Sequence, residues 1–366
     1  MRRILLGIIL LVLLASGASA QKRTSPGGLS WSYDLDFRYY FDNREFAASE
    51  DAVVPSMTLH SAVLAPTVTA QLRGRGIVQS LTLGADFAHD IGSQTWSDVC
   101  REGILYYDAR VRTGKALFEG VAGIYPRRLL DSRWSEAFFS CQNLFEDRLF
   151  EGVLLKWRSP RFRVEAALDW MGQKGYDRKE RFQVLLSGRW SAADWLSLGW
   201  NADYYHYAGS ELAPGVAERY LLHGWVRADF ASRIGWRDLS LQAGVLPSFQ
   251  RDHRDYEHPV FPVGGEVELA LCRRYLHLSN TCYFGGDLQP YYQTRDTAGR
   301  VFADNFYFGN RFYTGFYDRI ELFWEPRLGQ HARLRLGARA HFTADGFMGW
   351  QQVVSLRFDL GAPLVR

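Results

Sequence analysis

The sequence predicts an all-β protein, a transmembrane antiparallel up-and-down β-barrel of about sixteen strands, from three observations. Apolar residues recur at every second position in many successive segments, the connections between segments alternate between short and long, and aromatic residues flank the short ones. Side chains along a strand point alternately to opposite faces, and a tilted strand that crosses a bilayer needs about 9–11 residues. We therefore expect the chain to cross a membrane with strands.

The alternation is clearest in the first segment, residues 31–41. Its odd positions are all apolar or aromatic: Trp31, Tyr33, Leu35, Phe37, Tyr39 and Phe41. Its even positions are mostly charged: Asp34, Asp36, Arg38, Tyr40 and Asp42. Similar segments follow to the C-terminus, although the register of the sixth is open because Glu151 falls on its apolar side. One face of each segment is expected to contact lipid and the other to line the barrel.

The connections predict which rim of the barrel faces which side of the membrane. Short turns are expected near residues 74–76, 113–114, 159–160, 192–193, 231–235, 273–274 and 326–330. Longer polar connections are expected at residues 47–57, 91–102, 126–147, 173–180, 209–217, 250–261 and 286–309. Transmembrane barrels have short periplasmic turns and long extracellular loops, and an even strand number returns both termini to the periplasm.

The first twenty residues have the pattern of a secretory signal peptide. Arg2 and Arg3 precede an apolar run from Ile4 to Leu14, and the small residues Ala18-Ser19-Ala20 follow. This run is too short for a comfortable transmembrane helix. We expect residues 1–20 to be removed and residues 21–366 to form a single barrel domain.

Composition excludes several other classes of protein. The 43 basic and 40 acidic residues leave a net charge of +3, which gives no indication of nucleic-acid binding. The sequence after the signal has no run of 18 apolar residues that would predict a membrane-spanning helix. The spacing of Cys and His does not resemble a zinc site, and no cofactor is expected.

The alternating segments, the tryptophans beside the turns (Trp157, Trp190 and Trp195) and the terminal strand Leu356–Leu360 resemble the porin-like outer-membrane β-barrels of Gram-negative bacteria, such as Bacteroidota. The resemblance implies residence in the outer membrane, contact with its lipid, recognition by the barrel-assembly machinery and a capacity to assemble as a trimer. It also implies an aromatic final residue. This chain departs from that pattern, because it continues past Phe358 to Arg366.

The charged inward positions are candidates for pore-lining residues that set ion selectivity. They are Arg333, Arg335, Arg339, Arg357, Asp36, Arg38, Asp203 and Glu321. The arginine row of the last two strands would favour anions locally. The alternative is that these charges pair with one another across the wall and only stabilise the lumen.

The long connection Pro126–Asp147 mixes charge with aromatic residues and is a candidate constriction loop inside the pore. Its narrowest point would carry Arg127, Arg128, Asp131, Arg133 and Glu136. Alternatively it forms a surface cap around its own aromatic residues, Trp134, Phe138 and Phe139. Cys100 and Cys141 fall in two external loops and could form a disulfide, whereas Cys272 and Cys282 are expected on opposite faces of neighbouring strands.

Three functions are compatible with such a barrel. The leading hypothesis is a channel for passive or weakly selective diffusion of small hydrophilic solutes. A second is a surface binding or assembly protein for a glycan or secretion partner, with Tyr256, Tyr291 and Tyr292 as stacking residues. A hydrolase is the least favoured, and no enzyme is expected, because the sequence lacks Gly-x-Ser-x-Gly. It offers only scattered candidates for catalytic residues: Ser132, Ser135, His206, His223 and Asp229.

Overall fold

A computed structural model describes residues 28–46, 56–74, 76–93, 95–253, 258–295, 298–301, 306–326 and 328–361. Its sixteen strands form one closed barrel in which each strand pairs with its neighbours in sequence and β1 pairs with β16. Every pairing is antiparallel. Closure leaves no unpaired sheet edge, as a lipid environment requires.

The strands of the barrel follow the segments predicted from the sequence. They are β1 Leu29–Phe46, β2 Met57–Gly74, β3 Ile77–Asp90, β4 Cys100–Thr113, β5 Ala116–Pro126, β6 Leu149–Arg158, β7 Phe162–Gly172, β8 Glu180–Ala193, β9 Leu196–Gly209, β10 Pro214–Asp229, β11 Asp238–Asp252, β12 Val263–Arg273, β13 Leu276–Gly285, β14 Gly315–Trp324, β15 Ala332–Thr343 and β16 Gly346–Asp359. Several have 14 or more residues, longer than the strands of ordinary soluble domains. The predicted fold class and the strand number are confirmed.

The outer face of the barrel is apolar, as the alternation predicts. Leu83, Leu155 and Val245 are each more than half exposed, although they are aliphatic. Their neighbours in sequence point inward, so the same strands bury Thr82 and Leu154. An exposed aliphatic belt around a closed barrel is the surface that a membrane covers.

Most short turns and long connections occur where they were expected. The loops at the start of β2, β4, β6, β8, β10, β12 and β14 lie on one rim, which we call the long-loop rim. The tight hairpin between β15 and β16 lies on that rim too, and it was not among the predicted loops. The connection at residues 231–235 includes a one-turn helix, Ala231–Ile234. None of the described helices is long and apolar enough to span a membrane.

Other predictions have separate outcomes. The proposed signal peptide and Tyr256 lie outside the described residues. In β6, Val153 and Leu155 face outward, and Glu151 shares that face near the long-loop rim, where lipid headgroups would lie. The suggested Cys100–Cys141 disulfide is wrong, because both cysteines are free. Cys272 and Cys282 are also free. In the pairing of β12 with β13, Cys272 lies opposite His277 and Cys282 lies opposite Val267, so the two cysteines are on opposite faces of the barrel wall, as expected.

Candidate functional site

The interior of the barrel is crossed by residues 127–148, which we call the plug segment. It begins with a 3-10 turn at Arg127–Leu129 and contains a short helix, Cys141–Glu146, whose N-cap Ser140 accepts a hydrogen bond from the Asn143 backbone. Phe138 and Phe139 are buried against wall residues such as Phe150 and Leu154. The connection is therefore an internal segment and not a surface cap.

The five charged residues predicted for the constriction anchor the plug segment to opposite parts of the wall. Arg128 lies 3.0 Å from Asp34 in β1. Arg127 pairs with Asp147 and Asp169, and Arg128 pairs with Asp34, Asp36 and Asp359. Asp131 pairs with Lys156 and Arg158. Arg133 pairs with Glu268, and Glu136 pairs with Arg319. Contacts that reach from β1 to β12 and β14 require the segment to span the lumen.

The described part of a second connection, residues 286–314, fills space beside the plug segment, and we call this part the aromatic loop. Its buried hydrophobic residues are Leu288, Tyr291, Phe306, Tyr307, Phe308 and Tyr313. Backbone hydrogen bonds join the two segments, from Ser140 to Phe308 at 2.6 Å and from Asn310 to Glu136 at 2.7 Å. A Cβ at Gly309 would collide with the Ala137 carbonyl oxygen, so the approach requires glycine.

The predicted pore-lining residues lie on the inner face, and most of them are ion-paired. Arg339 contacts Glu321 at 2.6 Å, and Arg335 contacts Glu325 at 3.0 Å. Asp36 is shared by Arg38 and Arg357, Asp203 pairs with Arg219, and Arg333 is exposed. Charges that neutralise one another in this way support the alternative that they stabilise the interior. Their role in selectivity stays a prediction.

Glu136 and Cys141, in the middle of the plug segment, have shifted pKa values. Burial raises the pKa of the Glu136 carboxyl, but the charge and hydrogen bond of Arg319 outweigh burial and hold it below its usual range. Burial raises the pKa of the Cys141 thiol to about 11, and the neighbouring Glu136 charge adds to this. Glu136 is therefore ionised and Cys141 is a neutral thiol near pH 7.

The interior also brings together a serine, a carboxylate and a histidine. The Ser135 hydroxyl donates to Glu266 at 2.7 Å, and the His223 ring lies 3.8 Å from the same carboxylate. All three are almost completely buried. Moreover, the carboxylate lies between the other two, whereas an activated serine needs the imidazole against its hydroxyl. This arrangement is a structural network.

The remaining candidates for catalytic residues lie apart from one another. Ser132 hydrogen-bonds to Ser187 inside the barrel, and Asp229 caps the short-turn connection by accepting from the Ala231 backbone. His206, in contrast, faces outward near the long-loop rim.

His206 belongs to a polar cluster on the lipid-facing side of β9, β10 and the end of β11, which we call the outer histidine cluster. It consists of Tyr204, His206, Glu218 and His253. One Glu218 oxygen lies 3.6 Å from His206 Nδ1, and the other lies 3.3 Å from His253 Nε2. Tyr204 donates to Glu218 at 2.8 Å. A carboxylate that bridges two imidazoles is an arrangement suited to general acid–base chemistry.

Aromatic rings surround the outer histidine cluster. Phe182 stacks on the His206 ring with centroids 5.0 Å apart, and Trp170 stacks on Phe182 at 5.2 Å. Tyr220 lies against Tyr204 at 4.6 Å. Aromatic side chains at this level mark the membrane interface. The cluster is thus placed where lipid acyl chains meet their headgroups.

A second outward polar cluster lies at the long-loop end of β1 and β2. Thr58 donates to the Asn43 side chain at 2.8 Å, and Asn43 donates to Glu45 at 2.9 Å. Near them, the His60 ring lies 2.8 Å from the Tyr39 hydroxyl. We call these five residues the β1–β2 cluster. It has a histidine without a carboxylate hydrogen-bonded to it, so its acid–base geometry is weaker.

Glu218, His253 and the β1–β2 cluster were missed by the sequence reasoning. The signal was present, since a titratable residue at a position whose register faces lipid is costly and needs an explanation. Among the described residues, no group of His, Cys, Asp and Glu is arranged to hold a metal ion.

The fold and surface define a porin-like outer-membrane β-barrel with a filled interior and polar clusters on its outer rim. Residues 28–214, just over half of the chain, match the family model described as lipid A 3'-O-deacylase-type, and the chain belongs to that family. The match includes the β1–β2 cluster, Tyr204 and His206, and it ends before Glu218. The expectation that the protein is not an enzyme is wrong in the light of this family, whose name denotes an activity.

Similar solved structures include engineered porins. One variant of the Rh. blastica porin aligns over 90% of this chain and 100% of its own, at 8% identity and a TM-score of 0.47. A triple mutant of the Rhodopseudomonas blastica porin gives the same coverage and identity with a TM-score of 0.46. No similar protein was found among curated sequences.

Proposed function

We propose that the protein is an outer-membrane hydrolase that removes an ester-linked acyl chain from a lipid of the outer leaflet. The observation that carries this proposal is the outer histidine cluster, a carboxylate between two imidazoles on the lipid-facing surface of a member of a deacylase-type family. The long-loop rim then faces the cell exterior and both termini face the periplasm. The lipid A of the family's name is the first substrate to test.

The cluster supports hydrolysis by an activated water. His206 or His253 accepts a proton from water, and the resulting hydroxide oxygen attacks the ester carbonyl carbon. The Glu218 carboxylate stabilises the imidazolium that forms. The imidazolium then returns its proton to the alkoxide leaving group, so the products are a free fatty acid and the lipid alcohol. Arg251, opposite Glu218 on the outward face, places a positive charge beside the developing oxyanion.

The location of the cluster fits a lipid substrate better than the buried serine network does. His206, Glu218 and His253 retain between about a fifth and a third of their side-chain exposure on the barrel's outer surface. A lipid ester at the interface can reach them without leaving the bilayer. Passive diffusion of solutes, the alternative function, requires the plug segment to open a path and stays a prediction.

The test is hydrolysis by the purified full chain in mixed micelles of detergent and lipid A, with released fatty acids measured by mass spectrometry. Glu218→Gln and one of the two histidine variants, His206→Asn or His253→Asn, are expected to lower the rate about 10²–10⁴-fold, the usual contribution of a positioned acid or base. Glu45→Gln, in the β1–β2 cluster, and Ser135→Ala, inside the barrel, are the matched controls and should retain the wild-type rate.

Three outcomes would contradict parts of this proposal. Wild-type protein that releases no fatty acid from lipid A or from a diacyl phospholipid overturns the hydrolase function. Retained activity in Glu218→Gln overturns the outer histidine cluster as the site. Loss of activity in Glu45→Gln alone moves the site to the β1–β2 cluster.

A further inference from the structure

Two cavities lie within the barrel on either side of the plug segment. A cavity of about 70 Å³ near the long-loop rim is lined by residues that include Arg44, Ser140, Gln142 and Arg311. A larger cavity of about 340 Å³ is lined by Arg133, Trp134, Asp238, His277 and Arg335. Asp238 begins β11 and His277 is the second residue of β13, so this cavity extends toward the short-turn rim.

Glu136, Cys141 and Arg319 line both cavities and therefore form the partition between them. Arg319 donates to Glu136, and the Cys141 thiol donates to the same carboxylate at 3.1 Å. The Asn310 side chain donates to Glu136 at 2.9 Å. The Glu136 carboxylate is the common acceptor for Arg319, Cys141 and Asn310 in this partition.

The rest of the filled interior has a different character. Beside the long-loop half of β9 to β13, buried aromatic rings such as Tyr205, Tyr283 and Phe306 are packed together with a few buried polar groups. Beside β14, β15 and β1, ion pairs continue above and below the partition, with Asp42–Arg44 toward the long-loop rim and Glu325–Arg335 toward the other. Side chains that exchange hydrogen bonds with water can line an aqueous path, whereas packed aromatic rings exclude one.

We propose that the Glu136–Arg319 ion pair is the closed gate of a narrow polar passage through the barrel, used by small hydrophilic ions. This function is independent of the hydrolase activity, because the passage is inside the barrel and the outer histidine cluster is outside. Opening requires the Glu136 side chain to leave Arg319 and its two other donors, Cys141 and Asn310. The arginines that remain, Arg44, Arg319 and Arg339, give the open passage a preference for anions.

The first experiment measures single-channel conductance and reversal potential in planar bilayers. Wild-type protein should show rare or no steps, whereas Glu136→Ala should show frequent, anion-selective steps. Asp131→Ala is the matched control, since Asp131 is an ion-paired carboxylate of the same segment that lines neither cavity. It should remain as silent as the wild type. Folded Glu136→Ala protein that conducts no better than Asp131→Ala overturns the gate.

A second experiment uses Cys141 in the otherwise wild-type plug segment, in case Glu136→Ala does not fold. Cys100→Ser, Cys272→Ser and Cys282→Ser leave Cys141 as the single thiol of the mature chain. A small charged thiosulfonate is added at pH 9 to one side of the membrane at a time. A residue that lines both cavities should be modified from either side. Modification from one side alone overturns a passage at this position.

Discussion

The two halves of the barrel interior are filled in different ways. On the aromatic side, the inner face of β9 to β13, rings from the wall meet rings from the aromatic loop, as in the stacked pair Tyr283 and Tyr313, 4.5 Å apart. On the ionic side, the inner face of β14 to β16 and β1, paired charges dominate, as with Asp36 and Arg357.

The difference shows how one barrel can be sealed and still contain a weak point. Aromatic packing excludes water and derives its free energy from apolar burial. Partly exposed ion pairs, such as Arg128–Asp34 and Arg335–Glu325, keep part of their hydration, so each contributes little net free energy and can exchange partners. The aromatic side is therefore expected to hold the plug segment in place, and the ionic side is expected to be the part that rearranges.

The largest effect should come from the one fully buried ion pair within the described part of the aromatic side. Arg219 contacts Asp203 at 2.6 Å with both side chains almost completely buried. Arg219→Met leaves the Asp203 charge without its partner, which should lower the free energy of unfolding by about 3–5 kcal/mol. Urea unfolding in detergent micelles measures the change.

Arg227→Met is the matched control for that substitution. Arg227 lies 3.5 Å from Asp238, and both side chains are partly exposed. Loss of this ion pair should lower the free energy of unfolding by less than about 1 kcal/mol. Equal losses of unfolding free energy in the two variants would show that burial does not determine how much these ion pairs contribute. That result would weaken the contrast between the two sides.

An intermediate effect is expected from one hydroxyl of the aromatic loop. Tyr307 donates to Gln250 at 2.7 Å and accepts from the Tyr291 backbone at 3.1 Å. Tyr307→Phe removes both hydrogen bonds from the interior, at a cost of about 1–3 kcal/mol in the same unfolding assay. Tyr176→Phe, at a largely exposed tyrosine, should change nothing. A neutral Tyr307→Phe would mean that rings alone secure this loop.

The sequence predicts the wall of the barrel well, because alternation along a strand is a local property. Trp31 to Phe41 alternate within one segment, and that pattern alone assigns each residue of β1 to the outer or the inner face. The filling of the barrel is not local. Phe306 and Tyr205 are far apart in the sequence, and their contact depends on how a long loop folds back. Aromatic residues at inward positions, such as Tyr205 and Tyr207, were the available sign of a filled interior.

The candidate site was only partly visible for the same reason. His206 stands out as a titratable residue in a strand, but its relation to Glu218 and His253 requires the registers of three strands. The charged residues of the plug segment were predicted to lie inside the barrel because this long loop mixes charge with aromatic residues. Glu136 was among them, yet its partner Arg319 lies 183 positions away, and no spacing rule connects the two.

The smallest effect should come from the ionic side, where one cation has several carboxylates around it. Arg128 lies 3.0 Å from Asp34, 3.6 Å from Asp359 and 3.8 Å from Asp36, and about a third of its side chain is exposed. Burial lowers its pKa, but the surrounding carboxylates outweigh burial and raise the pKa above its usual value, so the guanidinium is attracted to this site.

Arg128→Ala should lower the free energy of unfolding by about 1 kcal/mol or less at low salt, because Arg38 and Arg357 still neutralise Asp36. At about 1 M salt, where the screening length is about 3 Å, the difference from the wild type should disappear. The larger loss in Arg219→Met should persist there, because that pair is shielded from solvent ions. A loss in Arg128→Ala that is large and independent of salt would make the ionic side as firmly held as the aromatic side, and the gate would then have to lie elsewhere.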